Sequence, residues 1–172
     1  MKILVTGAKG FIGMYLMPEL RTAGFDVIGI DRENGDIASP YGIFAWWLDE
    51  EKPDIVVHLA AKTSRLLCEE DPLAAIHDNV AATTFVAQEC AKRNIRLAYA
   101  STSEVYGHQG DAWMTEDSRT SPTGIYALTK LWGEQVIKLY LPDALIMRLS
   151  MPYGPFQAPA GFSPMGKGRA AI

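Results

Sequence analysis

Several things are scarce in this sequence, and each shortage closes off a class of function. Only two cysteines, Cys68 and Cys90, occur in 172 residues, and neither sits in a CxxC pair. That rules out a disulfide framework and a zinc-ribbon spacing. No apolar run approaches the length needed to span a bilayer. The stretch from Ile3 to Val5 is too short, and too soon followed by glycine, to be the core of a signal peptide. Positive charge is not in excess: the net charge is −4, which leaves no electrostatic footprint for nucleic acid. Internal repeats and low-complexity blocks are absent too. The expectation is a cytoplasmic protein with reduced thiols, no metal site, no nucleic-acid partner and no membrane partner.

What is present is an ordinary globular composition, 48% hydrophobic and 21% charged, in a chain long enough for one real core. The most informative stretch is the first. Lys2 to Thr6 read KILVT, a short buried-strand pattern, and Gly7-Ala8-Lys9-Gly10-Phe11-Ile12-Gly13 leads from it into a helical pattern. Strand, glycine turn and helix start form the context in which such a motif binds phosphate. Gly7 allows the tight turn, Gly10 lets a pyrophosphate approach the backbone, and Gly13 lets the helix pack on the sheet. The helix N-terminus offers free N–H groups and the positive end of a dipole. The spacing is GxxGxxG rather than GxGxxG.

A second strand, Asp26 to Ile30, ends in Asp31, 18 positions after Gly13. A carboxylate there accepts from ribose hydroxyls and repels a 2′-phosphate, which favours NAD. Arg32 follows and is able to greet that phosphate, which favours NADP. Tyr41 to Glu50 carries helical apolar spacing up to the break at Pro53. Asp54 to Ala61 reads as a third strand, continuous and apolar as strands buried on both faces are. Asp71-Pro72 starts a helix running to about Arg93, with Leu73, Ile76, Val80, Ala87 and Cys90 on one face. A fourth strand, Arg96 to Ser101, runs into a cluster of hydroxyls. Ser121-Pro122 opens a helix to Tyr140, and Ala144 to Leu149 is a fifth strand. From Ser150 onward Pro and Gly leave no periodic segment. This alternation predicts an α/β, Rossmann-type, doubly wound parallel sheet in the order 3-2-1-4-5, over residues 1–155. An irregular tail, 156–172, follows, with little or no C-terminal substrate domain.

Thr102, Tyr126 and Lys130 form a recognisable apparatus. Tyr126 and Lys130 are four apart and share a helix face. Free tyrosine has a pKa of about 10, and a fixed ammonium brings it toward working pH. Tyr126 then moves the proton of a substrate hydroxyl, and Thr102 donates to the same oxygen. Glu104 is a further acid/base candidate.

TGAKGFIG, the acid-ended second strand, His58-Leu59-Ala60-Ala61, STSEVYG and YxxxK stand in the order that resembles the extended short-chain dehydrogenase/reductase family, the NAD-dependent nucleotide-sugar epimerases, dehydratases and decarboxylases. The likeness implies NAD held by Gly7, Gly10, Phe11, Ile12 and Gly13, by Asp31 and Arg32, and by Asp36 and Ile37 against the adenine. It also implies contacts from Leu59, Ala60, Ala61, Lys62 and Asn79. Lys130 holds the nicotinamide ribose, with Tyr126 beside it. Arg148 and Tyr153-Gly154-Pro155 resemble the family's exit from the next strand. Ser103, where dehydratases carry an acid, points toward the epimerase and decarboxylase branches. The substrate implied is a nucleotide sugar. Extended members are longer, so the likeness also implies a chain truncated after the cofactor domain. A homodimer is implied through helices 72–93 and 122–140, whose extra apolar residues include Phe85, Val86, Leu131 and Ile137.

Two functions remain open on this reading. One is an enzyme, most simply an epimerase, working by transient hydride transfer at the sugar. The other is a non-catalytic NAD-binding module.

Overall fold

A computed structural model of the chain describes residues 1–39, 42–110 and 113–154. The expected tail 156–172, Pro155, and Tyr41 at the start of the expected second helix lie outside the described residues. Five strands form one parallel sheet: β1 (Lys2–Thr6), β2 (Asp26–Ile30), β3 (Ile55–His58), β4 (Arg96–Thr102) and β5 (Leu145–Leu149). The helices are α1 (Phe11–Thr22), α2 (Ile43–Glu51), α3 (Arg65–Glu70), α4 (Pro72–Ile76), α5 (Ala82–Lys92) and α6 (Ile125–Tyr140). Single 3₁₀ turns occupy Arg32–Asn34 and Ser103–Tyr106, and a π turn at His77–Ala81 joins α4 to α5.

Alternation along the strands decides which helices cover which face. Ile3 and Val5 of β1, with Val57 and Ala98, meet Met17, Leu16 and Leu20 of α1. Leu4, Val56, Leu97 and Tyr99 point the other way, against Phe44 and Leu48 of α2, Val86, Ala87 and Cys90 of α5 and Ile137 of α6. Full burial of a side chain such as Phe44 or Leu48 contributes about 1.5–3 kcal/mol. Among the described residues no helix is long and apolar enough to cross a membrane.

The doubly wound parallel class is as expected, but the strand order is not. The order is β2-β1-β3-β4-β5, not 3-2-1-4-5. Residues 55–58 pair with β1 on one side (Ile3↔Ile55) and β4 on the other (Ile55↔Arg96). A strand whose residues are nearly all buried belongs in the middle of the sheet, with a paired neighbour on each side. β2, half-buried, is left at the edge. The order therefore reverses between β1 and β3, and their carboxyl ends flank the crevice where such sheets take ligands.

Three local features also depart from expectation. α6 begins at Ile125, not Pro122, because Gly124 before it is extended (φ −146°, ψ 164°). α3 was not foreseen. The helix expected over 72–93 is interrupted by the π turn. The apolar excess read as a dimer face is partly core: Val86 and Ile137 are fully buried.

Candidate active site

The crevice begins with the glycine turn. Gly7 has φ +70°, and a Cβ there would stand 2.8 Å from Ala60 N, so the exits of β1 and β3 meet with no room for a side chain. A Cβ on Gly13 would stand 2.5 Å from Gly7 O, which lets α1 close directly onto the turn. Gly10 caps α1 without any side-chain bond, leaving the first-turn N–H groups directed out of the loop. Phe11 and Ile12 are half-buried beside it. A glycine turn packed this closely, leading into an uncapped helix start, fits a pyrophosphate.

The sheet edge beyond β2 carries Asp31. One carboxylate oxygen accepts from Lys9 N (2.8 Å) and the other from Arg32 N (2.8 Å), tying β2 to the glycine turn. Arg32 reaches across the crevice and pairs with Asp78 at 3.0 Å. His77 stands between Asp78 (3.2 Å) and Asp36 (3.7 Å). Asp36 also accepts from Ala38 N, while Ile37 packs against the core. Leu59, Ala60, Ala61 and Lys62 follow β3, all half-buried. Ala60 N donates to Thr6 Oγ1 (3.2 Å). Asn79, buried on the π turn, grips the backbone of Lys62 and donates to Thr129 Oγ1 (3.0 Å). Both of its amide protons and one lone pair of its oxygen are taken by these protein partners, so it positions the loop.

The reactive end lies past β4. Thr102 closes the strand, buried, with Oγ1 accepting from Glu104 N at 3.3 Å. Tyr126 lies in the first turn of α6, its carbonyl accepting from Thr129 Oγ1 (2.8 Å). Ile125 N, which the helix leaves without an intrahelical partner, donates to Glu69 of α3 at 2.8 Å. Arg65, one turn earlier on α3, pairs with Glu104 at 2.9 Å.

The electrostatics bear on the expected Tyr126–Lys130 pair. Burial pushes the Tyr126 phenol up to about 12, the Glu104 carboxylate adds to the rise, and a hydrogen bond from Thr102 and the charge of Arg65 oppose it. Lys130 does not bring it down. Its Nζ lies over the Tyr99 ring, 4.2 Å from the centroid, turned under α6 toward β4. Burial lowers the Lys130 ammonium to about 7, and Glu134 resists that fall. The Tyr126 phenol thus holds its proton more tightly than a free tyrosine does.

Beneath the site runs a buried polar layer. Thr6 Oγ1 and His58 Nδ1 are 2.7 Å apart, His58 Nε2 and Thr83 Oγ1 3.1 Å. The His58 ring stacks on Tyr99 at 5.8 Å. Burial, with Lys130 nearby, lowers His58 to about 3, so it stays neutral. Arg148 of β5 donates to both oxygens of Glu134.

The structure brings Thr102, Tyr126, Lys130 and Glu104 to one end of the crevice and the glycine turn, Asp31 and Arg32 to the other. Sequence reasoning missed Arg65, Glu69, Asp78, Thr129 and Glu134. Only Glu134 left a signal, as the third member of a four-residue repeat after Tyr126 and Lys130.

The family model for the RmlD substrate binding domain matches residues 1–163. A dTDP-4-keto-6-deoxy-D-glucose reductase of Streptomyces niveus is 34% identical over 152 residues, 88% of this chain and 52% of that protein. The solved dTDP-4-dehydrorhamnose reductase of Bacillus anthracis, in complex with NADP, has a TM-score of 0.84 at 28% identity, over 90% of this chain and 55% of that one. A structure of MoeE5 in complex with UDP-glucose and NAD has a TM-score of 0.74 at 31% identity, over 87% of this chain and 53% of that one. The chain spans about half the length of the curated relatives it matches. It belongs to the RmlD substrate binding domain family, a family of the extended short-chain dehydrogenase/reductase type.

Proposed function

We propose that this chain carries the cofactor site and proton-transfer apparatus of a nicotinamide-dependent nucleotide-sugar reductase, acting on a keto sugar. The observation that carries the reading is the place of Tyr126: a half-buried phenol in the first turn of α6, where burial and the Glu104 carboxylate hold its proton more tightly than usual. Reduction of a ketone needs a proton for the oxygen, and a phenol held near 12 keeps that proton until the oxygen develops charge. The names of the relatives favour the same direction. The epimerase and dehydratase branches would use the same residues.

Bound nicotinamide dinucleotide would supply or accept the hydride. Gly7, Gly10 and Gly13 would cradle the pyrophosphate, with Phe11 and Ile12 in the first turn of α1. Asp31 would accept from the adenosine ribose, and Asp36 and Ile37 would flank the adenine. Leu59 to Lys62, fixed by Asn79, would line the opposite wall. Lys130 would swing from Tyr99 to the nicotinamide ribose. Tyr126 would hand its proton to the substrate oxygen while Thr102 holds that oxygen, and Glu104 would stand by as a second proton carrier. Through Asp31 the proposed cofactor is NAD, with Arg32 the group that would admit NADP. Residues 1–155 would form this unit, and the enzyme would work as a homodimer.

A second reading, a nicotinamide-binding module without chemistry, is favoured by the place of Lys130, buried with its ammonium over the Tyr99 ring. One experiment separates them. The purified chain is mixed with reduced cofactor and a dTDP-4-keto-6-deoxy sugar, and the reduced-nicotinamide absorbance is followed. Loss of absorbance that needs both partners supports the reductase. Cofactor binding without turnover supports the module.

A further inference from the structure

Lys130 and Glu134 stand one turn apart on α6, only 2% and 1% exposed, the spacing at which an ion pair closes easily. They do not close it. The Lys130 ammonium lies over the Tyr99 ring instead. The carboxylate is already taken: Arg148 Nε donates to Oε1 at 3.0 Å, Arg148 Nη2 donates to Oε2 at 2.7 Å, and Ser101 Oγ donates to Oε1. Arg148 is itself anchored. Its Nη1 donates to Tyr106 Oη (3.0 Å) and to Glu116 O (3.0 Å), and its guanidinium lies 4.9 Å from the Tyr106 ring centroid. A buried lysine and a half-buried arginine thus face one carboxylate, and the arginine, with its planar fork, has won it.

We propose that Arg148 is a positioning residue for Lys130 acting through Glu134: by occupying both carboxylate oxygens, it keeps Lys130 from pairing with Glu134 and leaves the ammonium on the Tyr99 ring, outside any ion pair. This deepens the reading of Lys130 as the ribose-binding group and rests on that reading only for what the ammonium is used for.

The surroundings are consistent. His58 on β3 is neutral, and the Tyr99 phenol on β4 is pushed above its usual range by burial. Tyr126 keeps its proton. Glu104, Arg65 and Cys68 act on Tyr126 rather than on Lys130. Lys130 is left as the group of this layer that titrates near neutrality, held there by burial against the pull of Glu134. Removing Arg148 should strengthen that pull, and removing the carboxylate should abolish it.

The test is an NMR titration of the whole chain, labelled at lysine Cε, with the Lys130 resonance assigned by its loss in Lys130→Met. It needs neither cofactor nor turnover. Arg148→Met should raise the Lys130 midpoint by about one unit or more. Glu134→Gln should lower it. The double variant, which removes both charges, should return it to near the parent value. Single variants that shift the midpoint the same way, or not at all, overturn the proposal. If a single variant does not fold, Arg148→Lys serves: it keeps the charge but loses the fork, and should still raise the midpoint, and an unchanged midpoint there overturns the proposal. Turnover measured on the same samples is a separate result: an inactive chain with these shifts would sink the reductase reading and leave the proposal standing.

Discussion

Asn79 holds Lys62 at both ends of its backbone: Oδ1 accepts from Lys62 N at 2.7 Å, and Nδ2 donates to Lys62 O at 3.0 Å. The remaining amide proton goes to Thr129, whose hydroxyl donates to the carbonyl of Tyr126. Loop and reactive helix are thereby fixed to one side chain. Asn79→Ala leaves several buried polar groups unpaired and should cost about 2–4 kcal/mol in urea unfolding. Asn79→Asp, which cannot donate, should recover little of it. A cost under about 0.5 kcal/mol for Asn79→Ala would show that water or a rearranged loop replaces these bonds.

The proton-transfer residues should separate by kinetics. Tyr126→Phe should keep cofactor affinity and lose about 100- to 10,000-fold in kcat. Lys130→Met should weaken cofactor binding as well. Thr102→Val should cost less than the tyrosine change, because Tyr126 still reaches the substrate oxygen. Retention of most of the rate in Tyr126→Phe would remove Tyr126 from the mechanism.

Cofactor choice should respond to a residue that need not touch the cofactor. Arg32 is held by Asp78, so Asp78→Asn should free it for a 2′-phosphate. An exposed pair of this kind contributes up to about 1 kcal/mol, so NADP affinity should rise relative to NAD by up to about fivefold. Asp31→Ala should shrink any NAD preference too. Isothermal titration of both cofactors decides, and a ratio unmoved by Asp78→Asn would mean that Arg32 does not read the phosphate.

His58 should leave a mark on acid stability. It stays neutral in the fold down to about pH 3, whereas an unfolded histidine protonates near about 6.5. Between those values the unfolded chain binds the extra proton, so stability falls as pH drops through the window. His58→Asn should be weaker than the parent at neutral pH yet lose less on acidification, so the gap between their urea midpoints should narrow by about pH 4.5. A constant gap would mean that another group governs the decline.

The proposed homodimer can be checked by sedimentation. Leu73 (79% exposed), Leu139 (81%), Trp132 and Tyr140 remain uncovered on the two helices concerned, although Val86 and Ile137 do not. A monodisperse monomer at micromolar concentration would count against it.

The parts of this fold legible in the sequence are those set by local chemistry. The glycine turn, the apolar run of β3 and the Tyr126–Lys130 spacing each announce themselves within a few residues. The strand order was not legible, because which side of β1 accepts Ile55–His58 depends on burial that only the assembled sheet provides. Nor was the direction of Lys130: spacing placed it beside Tyr126, but the ring of Tyr99, 31 residues upstream of it on another element, took the ammonium. The contacts of Arg65 and Glu69 depend on α3, a six-residue helix without a periodic pattern.

The π turn at His77–Ala81 bears on what lengths of chain this fold tolerates. A π turn carries one residue more than a regular turn, so everything before it is rotated by about 100° relative to an unbroken helix. That is why Leu73, on the apolar stripe by simple counting, faces outward while Ala75 is buried. Deleting one residue within 77–81 would leave a smoother helix, yet it would swing Ala75 off the core and move Asn79 away from Lys62. Inserting an alanine on the exposed far side of α6, near Gln135, would likewise displace Ile137 from the core. The added residue in the π turn acts as a phase marker, and single-residue insertions and deletions scanned along 72–92 should be tolerated least there.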